Sequence, residues 1–363
     1  MKTKKNEFKV IQEFKDVEST WPRGKRIGLI KEKATDFRTR FKKTKPILAM
    51  KTVELISAVY PVEFAFCGAA WFSLNPFINI KNSVVIVQFE GFDRKRKTLV
   101  WEPTIPEGSA KAPFYANLLD TFGEFLSYKV FTKRFSTVKN AIESTGLKLS
   151  DIDYVSFDHL HVQDLRLLMG TVEPAYGSKD PIPALFPNAK FLFQEKEIDT
   201  LRSPHPHQWA WYVPGGLENV QTKNLVSLNG DVELGHGVAL ISTPGHTDGN
   251  HSLCINTPDG IWITSENGVS ADNWHPEISK IPGLKRYAKF YNVEVVLNAN
   301  TREDSIDQYD SMIKEKYIAD ENKKDPRFKN VFPSSELTSL LRHAPIFPTL
   351  THGEINYGKI EVP

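Results

Sequence analysis

Two histidines one residue apart stand in the stretch Asp158-His159-Leu160-His161-Val162-Gln163-Asp164. In extended chain, side chains two apart point the same way, so both imidazoles can be aimed at one point. A carboxylate follows at Asp164. Neutral imidazoles with a nearby carboxylate are ligands for a divalent cation. A pair of exposed loop histidines would read the same, and this stretch alone leaves both readings open. Three further stretches hold residues of the same kind. Thr243-Pro244-Gly245-His246-Thr247-Asp248-Gly249-Asn250-His251-Ser252 presents His246 behind a Pro-Gly turn. Glu266 follows the apolar run Trp262-Ile263-Thr264, and His352 lies in Thr351-His352-Gly353 near the C-terminus.

The elements that must carry these residues are strands. The apolar run from Ile152 to Phe157 predicts a strand that ends at His159, and Val238 to Ile241 predicts one that ends at the Pro-Gly turn. Both put their histidines at a rim. Ser83 to Phe89 and Thr98 to Trp101, around the polar turn 91–97, read as a hairpin. Short strands are expected at 64–67 and 70–72, and another at Val293 to Leu297. Phe114, Leu118, Leu119, Phe122, Phe125 and Leu126 recur at helical spacing. Further helices are expected at 138–147, 165–169, 196–201, 282–290, 305–318 and 335–342. The aromatic loop 204–212 carries His205, His207, Trp209, Trp211 and Tyr212, and reads equally as a lid or as surface packing. Two β layers flanked by helices would house this order, as would other α/β plans.

Composition bounds the class. The chain has 363 residues, which implies one large α/β domain with additions or two domains, and at 40% hydrophobic and 25% charged it suits a soluble globular protein with a sizeable core. The net charge of +2 hides an asymmetry: residues 1–52 hold 16 Lys and Arg against 6 Asp and Glu, so the rest is acidic. That basic stretch is read as an N-terminal extension before a main domain at 53–363, with a C-terminal extension from about residue 320. Aromatics are sparse in it, so no nucleic-acid module is read there. Two cysteines, Cys67 and Cys254, are too few for a disulfide framework and fit a reducing, cytoplasmic setting. No signal peptide and no membrane span are read.

Taken together, a strand with H-x-H, then T-P-G-H-T at a strand end, an acidic residue some twenty positions later and a late H-G resemble the metallo-β-lactamase superfamily over residues of roughly 62 to 352. The most specific piece is TPGHTDGNHS. The resemblance implies a four-layer αββα sandwich of two mixed β-sheets flanked by helices. It implies metal ligands at His159, His161 and His246, a bridging carboxylate at Glu266 and a last histidine at His352. The family's Asp-His pair falls on Gln163-Asp164, which leaves Asp164 as the nearest carboxylate for a metal contact or proton transfer. Asn250 stands where many members have a second histidine, with His251 beside it. Asn298-Ala299-Asn300 is the alternative place for the last ligand, in which case that ligand is lost. Three imidazoles and a water form a working catalytic zinc arrangement, so one metal is better supported than two. The cofactor expected is zinc, with iron or manganese as alternatives. The expected activity is metal-dependent hydrolysis of a small-molecule carbonyl substrate: a lactone, ester or amide. Against it stands a degenerate site in a protein that keeps the fold and only binds.

Overall fold

The computed structural model describes residues 7–70, 76–299, 304–339 and 346–363, apart from the side chain of Tyr128. Among these residues the strands form two sheets. One runs Lys9–Val10, Val232–Gly235, Val238–Ser242, His251–Thr257, Gly260–Ser265, Val331–Pro333, antiparallel except for the last pair. The other runs Asn356–Tyr357, Ala49–Pro61, Phe77–Glu90, Arg96–Trp101, Tyr154–Ser156, Lys190–Gln194, Leu225–Leu228, and becomes parallel from Arg96–Trp101 onward.

Alternation within single strands builds the layers. Val238 and Leu240 face inward and meet Val87, Leu99 and Leu192 of the other sheet; Ala239 and Ile241 face outward. The outward side packs on the helices Arg26–Phe41 and Ser305–Ile318 through Phe37, Phe41, Met312 and Ile313. The second sheet's outer face packs Val155, Phe157 and Phe191 against the helices Val138–Glu143 and Leu165–Met169. Burying each such side chain contributes about 1.5–3 kcal/mol. Helix, sheet, sheet, helix is the expected αββα order.

Three local expectations change. Residues 64–67 are not a strand: Val62–Ala65 is one helical turn, closed by a hydrogen bond from the Gly68 amide to Glu63 O, with Cys67 in the left-handed region. Trp71 and Phe72, of the next expected strand, lie outside the described residues. Ser335–Thr338 is a strand rather than the start of a helix, because the free edge of Phe77–Glu90 offers it a ladder from Ser335 opposite Asn82. Residues 340–342 of that expected helix, with His343 just beyond, are again outside the described part. Val293 to Leu297 is buried in part but joins neither sheet.

The basic stretch is woven into the fold from residue 9 onward. Arg26 pairs with Asp307 at 2.7 Å, Arg38 with Asp320 at 2.6 Å, Arg40 with Glu233 at 2.5 Å, and Lys31 with Glu294. Much of its charge is therefore answered within the chain. No helix among the described residues is long and apolar enough to cross a membrane.

Candidate metal centre

His159 and His161 follow directly from the strand Tyr154–Ser156. The chain then turns at Val162, held at φ 56°, and Asp164 caps the helix Leu165–Met169 by accepting from the Arg166 amide at 3.2 Å. His246 comes from the other sheet, on the loop that leaves Val238–Ser242. Gly245 makes its approach possible. It sits at φ +122°, and a Cβ there would lie 2.1 Å from the Gln308 backbone nitrogen.

The three rings meet. Their centroids are 4.5 Å apart for His159–His161, 4.7 Å for His159–His246 and 5.2 Å for His161–His246. One ligand nitrogen from each lies within 4.8 Å of the others, and all three residues are buried. Outer partners turn the rings. Asp158 Oδ1 lies 2.5 Å from His159 Nδ1, and the Asn298 carbonyl lies 3.0 Å from His246 Nδ1. Each partner holds the Nδ1–H tautomer and leaves Nε2 as the lone-pair donor, which is how metal-binding histidines are commonly oriented.

Electrostatics keep two of the three neutral. Burial, and then the nearness of His159, pushes His246 down to about 3. Burial, followed by the other two imidazoles, takes His161 well below the usual histidine range. Burial also opposes charge on His159, but the Asp158 carboxylate outweighs it and its pKa is raised. Glu266 lines the same cavity. Burial, then the Asp158 charge, lifts its carboxyl to about 8. Its Oε1 is buried with no hydrogen-bond partner, a cost that buried polar groups rarely carry. Three convergent imidazoles and an orphaned carboxyl oxygen fit a divalent cation. His159, His161 and His246 would hold it, and Glu266 is a carboxyl on the wall of the same cavity.

No family model matches this sequence. Solved structures are similar in shape. A probable metal-dependent hydrolase from Staphylococcus aureus superposes with a TM-score of 0.50 at 14% identity, covering 75% of this chain and 84% of that one. The chain has the metallo-β-lactamase fold. Also similar are AidC, a dizinc quorum-quenching lactonase, at TM-score 0.48, 13% identity and coverage of 87% and 96%, and an N-acyl homoserine lactone hydrolase at 0.44, 17%, 69% and 91%.

Within this metallo-β-lactamase fold the remaining expected ligands separate. Asp164 is not brought to the trio: Arg166 Nε and its second terminal nitrogen hold its two oxygens at 2.8 and 2.9 Å, and the Tyr176 hydroxyl adds a third bond. A carboxylate so neutralised serves the helix start. His352 is elsewhere too. Its Nδ1 lies 3.0 Å from Glu336 Oε1 and its ring packs on Trp262 and Phe332. Asn298 does stand at the cavity, but its side chain accepts from Tyr60 at 2.7 Å and donates to Glu266 O at 2.9 Å, tying the wall together. Asn300 lies outside the described residues. Asn250 donates to Thr243 O at 2.8 Å, and His251 is a core histidine bonded to Phe157 O at 2.6 Å and stacked on Trp101.

Two positioning residues were not singled out in the sequence. Asp158 was visible only as a neighbour of the H-x-H. Glu197 lies within the short helix expected at 196–201; it is buried and joins three loops. Its Oε1 accepts from the Leu160 amide at 2.7 Å and the Tyr212 hydroxyl at 2.8 Å, and its Oε2 accepts from Thr247 at 2.6 Å. It thus binds the first histidine loop to the second. No local pattern signals this, because its partners lie 15 to 50 residues away.

Proposed function

We propose that this protein is a metal-dependent hydrolase of carbonyl substrates: lactones, esters or amides. The observation that carries the reading is the trio of buried imidazoles converging on the wall of a largely apolar cavity of about 470 Å³. Such a pocket, with a few convergent polar groups, is the usual form of a small-molecule site. A divalent cation bound there supplies a hydroxide nucleophile near neutral pH and polarises the carbonyl. Zinc suits three imidazoles best, with iron and manganese as alternatives.

The chain's own groups have separable tasks. Asp158 and the Asn298 carbonyl hold two rings in the binding tautomer. Glu266, protonated near neutrality without a cation, can carry a proton at its free Oε1 or release it and become a ligand. Trp211 forms part of the wall and keeps water from that side. Retention of all three imidazoles, each polished by an outer contact or by burial, favours turnover over a scaffold that has abandoned its site.

The test is direct. Purified protein is assayed for bound zinc, iron and manganese, and for hydrolysis of generic lactone, ester and phosphodiester substrates with and without chelator. His159→Ala and His246→Ala should each lose the metal and the chelator-sensitive activity. Metal content unchanged in both variants removes the mechanism.

A further inference from the structure

The cavity beside the trio has a chemical asymmetry that narrows the substrate. Its wall includes the three histidines with Glu102, Gln163 and Glu266. Polar side chains such as Asn82, Thr104 and Ser127 also line it, but most of the exposed wall is apolar, with Ile56, Ala58, Ile80, Leu118, Leu119 and Phe131 contributing. Among the described lining residues Arg134 is the one Lys or Arg, and its guanidinium is already paired with Glu107 at 2.6 Å.

That charge pattern selects against anions. A carboxylate or phosphate on the substrate is normally met by Arg, Lys or a row of backbone amides. Here a second negative group would find no uncommitted Lys or Arg in the described wall. Buried charge without a partner is costly.

The apolar wall is also unfinished. The helix Pro113–Lys129 is rich in Phe and Leu, yet Leu118 and Leu119 are only half-buried and Phe125 is 73% exposed. Its backbone breaks at Gly123 (φ 75°, ψ 164°), and Phe122 lies edge-on to Phe131, 5.2 Å between ring centres. The helix therefore stands along the cavity without spending its inward leucines on the protein's own core. Covering those side chains with an apolar group releases the water against them, which is favourable.

We infer that the substrate of this site is a neutral carbonyl compound with a single apolar tail, its carbonyl at the three histidines and its tail along Leu118, Leu119 and Phe131. This rests on the hydrolase reading above. It excludes β-lactam-like, phosphodiester and other anionic substrates as the preferred class.

The experiment uses the zinc-loaded full chain and p-nitrophenyl esters from acetate to dodecanoate, each long ester paired with its ω-carboxylate analogue. kcat/KM should rise about 2- to 4-fold per methylene until the cavity is filled, and the ω-carboxylate analogue should be at least about tenfold poorer. Leu119→Trp should cut the decanoate-to-acetate ratio of kcat/KM by tenfold or more. A second readout needs no turnover: calorimetric titration of the metal-free protein with primary alcohols from butanol to dodecanol should show affinity rising with length, and losing that rise in Leu119→Trp. Hydrolysis that is flat in chain length, or that prefers the ω-carboxylate ester, overturns the tail and leaves the hydrolase standing. Length-dependent alcohol binding with no hydrolysis of any ester or lactone supports the tail pocket and sinks the hydrolase.

Discussion

Replacing Asp158 by Asn tests the centre without touching a ligand. Asp158 is fully buried; its Oδ1 faces His159 Nδ1 at 2.5 Å and the His159 amide at 2.8 Å, and its Oδ2 accepts from Ser334 at 2.7 Å. Asn keeps a carbonyl oxygen for the ring N–H, so the tautomer and the shape survive. The negative charge that makes His159 a stronger donor is what goes. Replacing an outer partner of this kind costs about 10- to 100-fold in metal affinity, roughly 1.4–2.7 kcal/mol. The short contact and the absence of exposure argue for the upper half of that range, since no solvent can replace the charge. Some is returned by Glu102. Burial, then the Asp158 charge, holds the Glu102 carboxyl well above its usual range, so losing that charge lets it ionise more easily. The expected loss is therefore about 30-fold. The assay is zinc competition against a fluorescent chelator for wild type, Asp158→Asn and His159→Ala, with thermal unfolding of the metal-free forms as a check on the fold. Affinity of Asp158→Asn within about twofold of wild type, beside a His159→Ala that binds poorly, would refute the claim that this carboxylate tunes the centre.

Two further outcomes follow from the same geometry. Gly245→Ala should lower zinc affinity by about tenfold or more although it alters no ligand, because a Cβ at φ +122° would collide with the Gln308 backbone and push the His246 loop away; unchanged competition curves would contradict this. Stability of the metal-free protein should fall on acidification from pH 7 to pH 5. Burial foremost depresses His251 to about 4 from its ordinary 6.5, so the unfolded chain takes up a proton in this window that the folded chain refuses. The contribution is fully present above about 6.5 and shrinks as pH falls toward 4, by about 2 kcal/mol at pH 5. His246 acts in the same direction, while the raised His159 opposes. A urea midpoint that is equal at both pH values would count against it.

Much of the site was legible because its parts are local. The H-x-H at a strand exit needs only the two-residue repeat of extended chain, and TPGHT needs only a turn. The resemblance then supplied the αββα plan. What misled was equally local: Phe64 to Cys67 has strand composition but closes a helical turn after Pro61, and the helical spacing at 335–342 yields, over Ser335–Thr338, to an open sheet edge. Asp164 has the right type and place for a ligand, yet Arg166 two residues on neutralises it.

Residue type and short-range spacing thus determined which imidazoles were available and that strands would present them at a rim. The tertiary structure alone decided that His246 from one sheet meets His159 and His161 from the other, that Glu197 ties their loops, and that His352 faces Glu336 instead. The physical reason is range. A strand's side-chain direction is set by its own backbone, whereas a meeting of three rings from two sheets depends on how the sheets stack and on which buried carboxylate finds which donor across dozens of intervening residues.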